Sequence, residues 1–283
     1  MVDYVFGHGN DELQRLQHQA RVLEPVSLRL FGEMGLKPGM RVLDLGCGAG
    51  DLTMLAARQV GRRGSVEGID ENPEAVLLAT RRAAQGKLKN VRFHTCTIDA
   101  FSTQAPYDAV IGRYILLHQH DPVAFLRKMA ELTRPGGLLG LHELLLLKPL
   151  AQSFPTVPAW DRIGEWVLGA LGAATPSPGA ATRLVQHFAE AGLPRPELFC
   201  ECLIGGGEHS PLYRWAVEGA GGVLPHLVRL GIVKPGEVDL STLAEQLRRE
   251  ASQANAQLLG PLQVGAWARM GAPTGCVGLG VGA

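Results

Sequence analysis

Between residues 11 and 24 the apolar side chains Leu13, Leu16, Ala20 and Leu23 recur at helical intervals. Asp11 stands in front of them as a cap, and Pro25 predicts that the helix breaks or restarts there, with a second helical piece through Phe31. Downstream the pattern becomes an alternation. Short apolar runs over 41–45, 65–70, 91–97, 107–112 and 138–146 read as strands, while 51–60, 73–85 and 122–132 have helical spacing. Lys37-Pro38-Gly39 and Arg134-Pro135-Gly136-Gly137 are the sharpest turns. Strands separated by helices predict an α/β fold with a mainly parallel sheet covered on both faces.

The rhythm loosens over 149–180, where Phe154, Trp160 and Trp166 stand among prolines, glycines and alanines. A helix is predicted over 181–191 and a strand over 197–204, ending in Gly205-Gly206-Gly207. Residues 210–230 read as helical with a glycine break at 219–222. Residues 242–257 read as a helix opened by a Thr242/Glu245 capping box, and 262–269 as a last strand. The two interruptions, 149–180 and 205–240, are expected to form a cap over the carboxyl ends of the strands, where open α/β sheets bind ligands.

A chain of 283 residues with 46% apolar content can bury one catalytic domain and a cap. Its 27 basic and 27 acidic residues balance, which does not exclude a polyanionic partner, but no basic groove or appended binding module is visible in the sequence, so no nucleic-acid partner is expected. The first residues lack a basic start followed by an apolar run, and no uncharged stretch approaches bilayer length. The reading is a soluble cytoplasmic protein with no membrane association. Cysteines 47, 96, 200, 202 and 276 match neither a disulfide framework nor a zinc site, and no metal is expected. Cys200 and Cys202 are read as small core residues on one face of a strand.

The chemistry begins at Asp44-Leu45-Gly46-Cys47-Gly48-Ala49-Gly50, a glycine loop between a strand and a helix. Glycines there let backbone approach a ligand closely. Asp70 ends the next strand, 20 residues beyond Gly50, where a carboxylate can accept both hydroxyl hydrogens of a ribose. A dinucleotide loop reads GxGxxG, but here the third glycine comes one residue early and Asp51 takes its place. Acids at 44 and 51 would repel a pyrophosphate and suit a ligand carrying a sulfonium and an α-amino group.

VLDLGCGAG resembles the first motif of the class I S-adenosylmethionine-dependent methyltransferases, and the likeness, of the UbiE-like bacterial small-molecule type, extends over roughly residues 1–145. It implies a doubly wound, seven-stranded, mostly parallel sheet, with residues 1–31 as a helical lid and 32–283 as the methyltransferase domain bearing the cap. S-adenosylmethionine would be the cofactor and S-adenosylhomocysteine the product. Asp44, Gly46, Cys47 and Gly48 would cradle its methionine and ribose portions, Asp70 would hold the ribose hydroxyls, and Glu71 and Asn72 would lie near the adenosine. Asp99, Ala100 and Phe101 would meet the adenine, although Ile98 stands where a glycine is common. Gly112 and Arg113 would line the methionine end. Tyr4, Phe6, Arg15 and Gln19 match inward-facing lid positions, and Arg15 and Gln19, four apart, share a helical face and could reach one carboxylate.

Methyl transfer is a direct displacement needing an aligned acceptor, exclusion of water and sometimes a general base. His118, after the fourth strand, is the first candidate base, although His118-Gln119-His120-Asp121 also reads as a cap before the next helix. His142 and Glu143, opposite in facing within the fifth strand, are the second pair, and His8 is a weaker substrate contact. Phe154, Trp160, Trp166, Tyr213 and Trp215 could wall an apolar acceptor site or simply form the cap's own core. Arg62-Arg63, Arg81-Arg82 and Lys87–Lys89 read as solvated surface. The expected partner is a small molecule, quinone-like or natural-product-like, methylated on a hydroxyl oxygen. Carbon or nitrogen methylation, a nucleic-acid or protein acceptor, and a non-catalytic cofactor-binding role stand as alternatives, in a monomer or homodimer.

Overall fold

A computed structural model describes residues 10–271, so Tyr4, Phe6, His8 and Cys276 lie outside the described residues. The first helix, α1 (Asn10–Met34), runs through Pro25 without a break, contrary to expectation. Pro25 is exposed, so the backbone carbonyl it frees opens to water. The flanking Leu23, Val26, Leu30 and Phe31 are fully buried and hold the helix from its other face. The expected lid boundary at residue 31 therefore falls inside a continuous helix.

The alternation that follows is β1 (Arg41–Leu45), α2 (Asp51–Val60), β2 (Ser65–Asp70), α3 (Pro73–Gln85), β3 (Val91–Thr95), β4 (Tyr107–Arg113), α4 (Pro122–Leu132) and β5 (Thr133–Leu144). These strands pair in parallel in the order β3-β2-β1-β4-β5. Arg134-Pro135-Gly136-Gly137 is a bulged start to β5 rather than a turn before it: Tyr107 faces Thr133, the register slips, and Ala109 then faces Leu138. Gly136, at φ +73°, takes the bend.

Beyond β5 the chain forms β6 (Gln152–Phe154), α5 (Pro158–Ala174), α6 (Leu184–Glu190), β7 (Glu197–Gly206), α7 (Leu212–Arg229), α8 (Leu240–Gln253) and β8 (Gln257–Arg269). β8 lies antiparallel to β5, and β7 runs antiparallel along its other edge. Among the described residues the sheet thus has eight strands rather than seven. The additional one, β6, is three residues long and extends the β5 edge by pairing with the start of β8.

The cap elements are more regular than the sequence suggested. Residues 149–180 contain all of α5, and α7 continues through Gly219, Gly221, Gly222 and Pro225, because Tyr213, Ala220, Val223 and Leu227 are buried along its inner face. Helix α8 starts at Leu240, capped by the Asp239 carboxylate accepting from Ser241 N–H at 2.9 Å. The Thr242/Glu245 box does not form, and Glu245 pairs with Arg248 instead. Cys200 is exposed, since β7 is an edge strand with a thinly covered face, so it is not a core residue. No helix among the described residues is long and apolar enough to cross a membrane.

Two hydrophobic clusters fill the faces of the sheet, one centred on Leu43, Val110, Phe125 and Leu139, the other on Phe31, Val42, Leu55 and Ile111. A third, with Trp160, Ile163, Tyr213 and Leu247, joins α5, α7 and α8 as the cap. Strand order reverses between β1 and β4, and a crevice opens at their carboxyl ends, lined by the loops after β1, β2, β3 and β4.

Candidate functional site

The crevice is a groove of mixed polar and apolar lining built around the loop after β1. Gly46 has φ +67°, a conformation that disfavours any side chain, and a Cβ there would stand 2.5 Å from Ile115 Cδ1, which would have to shift. Asp70 closes the groove's far wall: Oδ2 accepts from Gly48 N–H at 2.8 Å and Oδ1 from Asn72 N–H at 2.9 Å. Cys47, Glu71, Asn72, Asp99 and Arg113 also line this groove. Asn72 has a further task as cap of α3, its side chain accepting from Glu74 and Ala75 N–H.

Asp44 is 1% exposed at the base of the groove. Thr53 Oγ donates to its Oδ2 at 2.6 Å, whereas Oδ1 has no partner among the described residues. Burial pushes its carboxyl up to about 7. A buried carboxylate oxygen left unpaired on a residue that lines the groove fits a cationic group, and the glycines at 46 and 48 leave room for a ligand against the loop backbone. These are the features a sulfonium-bearing nucleoside would need.

Asp51 contributes less than expected, because Arg82 Nη2 pairs with its Oδ1 at 2.5 Å while Nη1 donates to Ala49 O at 2.6 Å. Arg82 therefore ties the glycine loop to α3, and Arg81 lines the groove, so this pair is not merely solvated surface. Ala100 and Phe101 do not line the groove. Ala100 N–H donates to Thr97 Oγ1 at 3.2 Å, and Phe101 turns away to pack beside Tyr107. Gly112 lies under Ile115, where a Cβ would come within 3.0 Å of Ile115 Cγ2, and shapes the wall without forming it.

A second, apolar chamber lies beneath the cap, walled by Leu144, Ile163, Val167 and Leu171 together with Trp160 and Trp215. Trp160 is fixed by its Nε1–H donating to Leu259 O at 3.1 Å. The other expected aromatics are elsewhere. Phe154 is 57% exposed on the outer side of β6, Trp166 packs among the cap helices, and the Tyr213 hydroxyl donates to Gly207 O within the cap core. Arg15 and Gln19 do share a face, with Arg15 Nη1 donating to Gln19 Oε1 at 2.8 Å, but Arg15 lines the chamber and not the groove.

Gln19, Tyr114 and His118 line both spaces and so mark where groove and chamber meet. His118 closes a short turn, Leu116–His118, and burial lowers its pKa, which keeps the imidazole neutral. Asp121, three residues on, caps α4 by accepting from Ala124 N–H.

His142 and Glu143 are buried and line neither space. His142 sits between Ser27 Oγ (2.9 Å from Nδ1) and Gln263 Oε1 (3.1 Å from Nε2), with burial holding its pKa down to about 3. Glu143 Oε1 accepts from both Ile115 and Leu116 N–H at 3.1 Å, and burial raises its carboxyl to about 8. Both faces of β5 are covered at this point, so alternation turned both residues toward buried partners. The reading missed Tyr114, whose only sequence signal is its place directly after β4, and the small chamber residues Gly164, Ala216 and Gly219.

Glu143 gives a pH prediction. Its folded pKa lies above the ordinary 4.5, so the native state holds a proton that the unfolded chain has released. The stability this group contributes is complete below about pH 4.5 and is lost as pH rises to about 8. Glu143→Gln keeps the acceptor for Ile115 and Leu116 and cannot ionise. Thermal midpoints at pH 6 and pH 8.5 should fall more for the wild type than for this variant, and equal falls would contradict the assignment.

Residues 36–167 match the family model described as a methyltransferase domain. A ubiquinone biosynthesis O-methyltransferase from Xanthomonas campestris pv. campestris is 35% identical over 130 residues, covering 45% of this chain and 53% of that one. The tRNA (adenine(58)-N(1))-methyltransferase TrmI of Thermus thermophilus is 37% identical over 129 residues, 43% of this chain and 49% of that one. The chain thus spans about half the length of the curated relatives it matches. The YcgJ protein from Bacillus subtilis superposes with a TM-score of 0.56 at 16% identity, covering 87% of this chain and 98% of its own, a likeness of fold.

Proposed function

We propose that the chain, whose residues 36–167 match a methyltransferase domain, is a class I S-adenosylmethionine-dependent methyltransferase that methylates a small, flat, apolar organic acceptor, quinone-like or natural-product-like, on a hydroxyl oxygen. The observation that carries this reading is the meeting, at Gln19, Tyr114 and His118, of an apolar chamber and a groove that holds the carboxylates of Asp44, Asp70 and Asp99. A chamber walled by Trp160, Trp215, Ile163 and Leu171 suits a hydrocarbon ring system and offers no basic track for a polynucleotide backbone.

S-adenosylmethionine, when bound, supplies an electrophilic methyl group on a sulfonium. On the protein side, Asp70 would hold the ribose hydroxyls, while Asp44 and the loop at Gly46, Cys47 and Gly48 would form a close-fitting floor whose carboxyl ionises readily beside a cation. Glu71, Asn72 and Asp99 would meet the cofactor's adenosine end and Arg113 its methionine end. The cap excludes water, Trp160 and Trp215 orient the acceptor ring, and neutral His118 accepts the hydroxyl proton at the junction.

The reading is tested by supplying methyl-labelled S-adenosylmethionine with catechols and naphthols in one arm and bulk tRNA in the other. Label should pass to the extractable phenols with equimolar S-adenosylhomocysteine formed. Label in tRNA alone would overturn the acceptor class, and failure to bind S-adenosylhomocysteine in a parallel calorimetric titration would overturn the cofactor assignment for this chain.

A further inference from the structure

Tyr114 stands where the two spaces meet and has an unusual backbone for a bulky residue, φ +55°. A tyrosine adopts this left-handed conformation only where its surroundings over-determine it. Those surroundings are explicit. Tyr114 N–H donates to His142 O at 2.9 Å, and the next two N–H groups are gathered by Glu143 Oε1. The hydroxyl donates to Gln263 Oε1 at 2.6 Å, away from both spaces.

Gln263 is itself fixed. Its Nε2 donates to Pro261 O at 3.0 Å, so the amide orientation is set and Oε1 is the atom turned toward Tyr114. That oxygen is an acceptor, so His142 Nε2 carries the proton that reaches it. Neutral His142 then has a bare Nδ1, which accepts from Ser27 Oγ–H. A directed chain therefore runs from α1 through β5 to β8: Ser27 to His142 to Gln263, where the Tyr114 hydroxyl donates to the same oxygen. Ser27, His142 and Gln263 are fully buried, and His142 lies edge-on to the Tyr114 ring at 5.6 Å. Such a network fixes a ring's angle as well as its place.

We propose that the Tyr114 ring is the wall shared by the cofactor and the acceptor, registering one against the other, and that Gln263 and His142 act through it as positioning residues. The inference rests on the two-space reading given above. A ring sensed from both sides couples the two ligands, so occupancy of the groove changes affinity in the chamber, and the reverse, by the same factor.

The test uses S-adenosylhomocysteine for the groove and 1-naphthol for the chamber, the latter followed by quenching of tryptophan fluorescence. In the wild type, saturating S-adenosylhomocysteine should tighten 1-naphthol about fivefold or more, the scale of one well-made hydrogen bond. Tyr114→Phe leaves Gln263 Oε1 still satisfied by His142, so the variant folds. It should bring the coupling to about onefold, read as the ratio of 1-naphthol affinities with and without saturating S-adenosylhomocysteine, whatever the change in either affinity alone. Gln263→Leu should lose the coupling as well and add nothing in the Tyr114→Phe background, whereas a merely structural Gln263 would lower the thermal midpoint and leave coupling intact. Retained coupling in Tyr114→Phe, additive effects of the two substitutions, or 1-naphthol bound without coupling in the wild type would each overturn the proposal. No 1-naphthol binding at all would overturn the chamber reading beneath it, and the proposal with it.

Discussion

Asp70→Ala should weaken S-adenosylhomocysteine binding by about 100-fold in a calorimetric titration. A hydrogen bond to an ionised carboxylate contributes about 1.5–3 kcal/mol, and tenfold in affinity corresponds to about 1.4 kcal/mol, so two ribose hydroxyls released from one carboxylate set that scale. The folded state should lose much less. The Gly48 and Asn72 N–H groups that Asp70 accepts from border an open groove, where water replaces the carboxylate, so the thermal midpoint should move only slightly. Asp70→Asn, which keeps one carbonyl oxygen, should fall between wild type and alanine. Unchanged affinity in the alanine variant would remove Asp70 from the cofactor site.

Gly219→Leu should separate the two spaces in the opposite sense. Gly219 lines the chamber from the middle of α7, and a Cβ built there meets nothing within 4 Å. A leucine side chain therefore enters the acceptor space without forcing the backbone. Replacing a mid-helix glycine also favours the helix by about 0.5–1 kcal/mol. The variant should be slightly more heat-stable, bind S-adenosylhomocysteine as the wild type does, and lose acceptor turnover by about 100-fold or more, the range expected when bound geometry is displaced by an ångström or so. A variant of wild-type activity would show that acceptors do not use this chamber. The glycine is then retained for space at some cost in stability, a familiar trade at functional sites.

The glycine loop, the place of Asp70 at a strand end and the alternation of parallel strands with helices were legible because each rests on local chemistry: a period, a turn residue, or a backbone that only glycine adopts. Pro25 misled because its effect depends on which way the residue faces, and on α1 it faces water. His142 and Glu143 share that fault in another form. Alternation says that two neighbours point to opposite faces, but not that both faces of a strand are covered. Among the cap aromatics, Trp160 and Trp215 reach the chamber while Trp166 and Tyr213 do not, a division made by helix packing between α5 and α7, which no spacing rule contains. Arg82 looked like half of a surface pair, yet it reaches back across 31 residues to Asp51. Tyr114 was hidden because its signal is a dihedral angle.

The long strand β8 has a consequence for the order in which the molecule assembles. The parallel set β3-β2-β1-β4-β5 lies within the first half of the chain and closes through contacts of moderate sequence separation. β8 must instead bring Arg269 back to Leu138 and Gln263 back to Leu144. Pairings of that span form slowly, because a long loop is ordered before any contact rewards it. Until they form, β5 is an open edge, a template for pairing with other chains. Gln263 and Pro261 ride on the same strand, so the junction and the chamber mature only in the final closing step. A refolding experiment should accordingly recover far-ultraviolet circular dichroism before it recovers the capacity to hold a ligand under the cap.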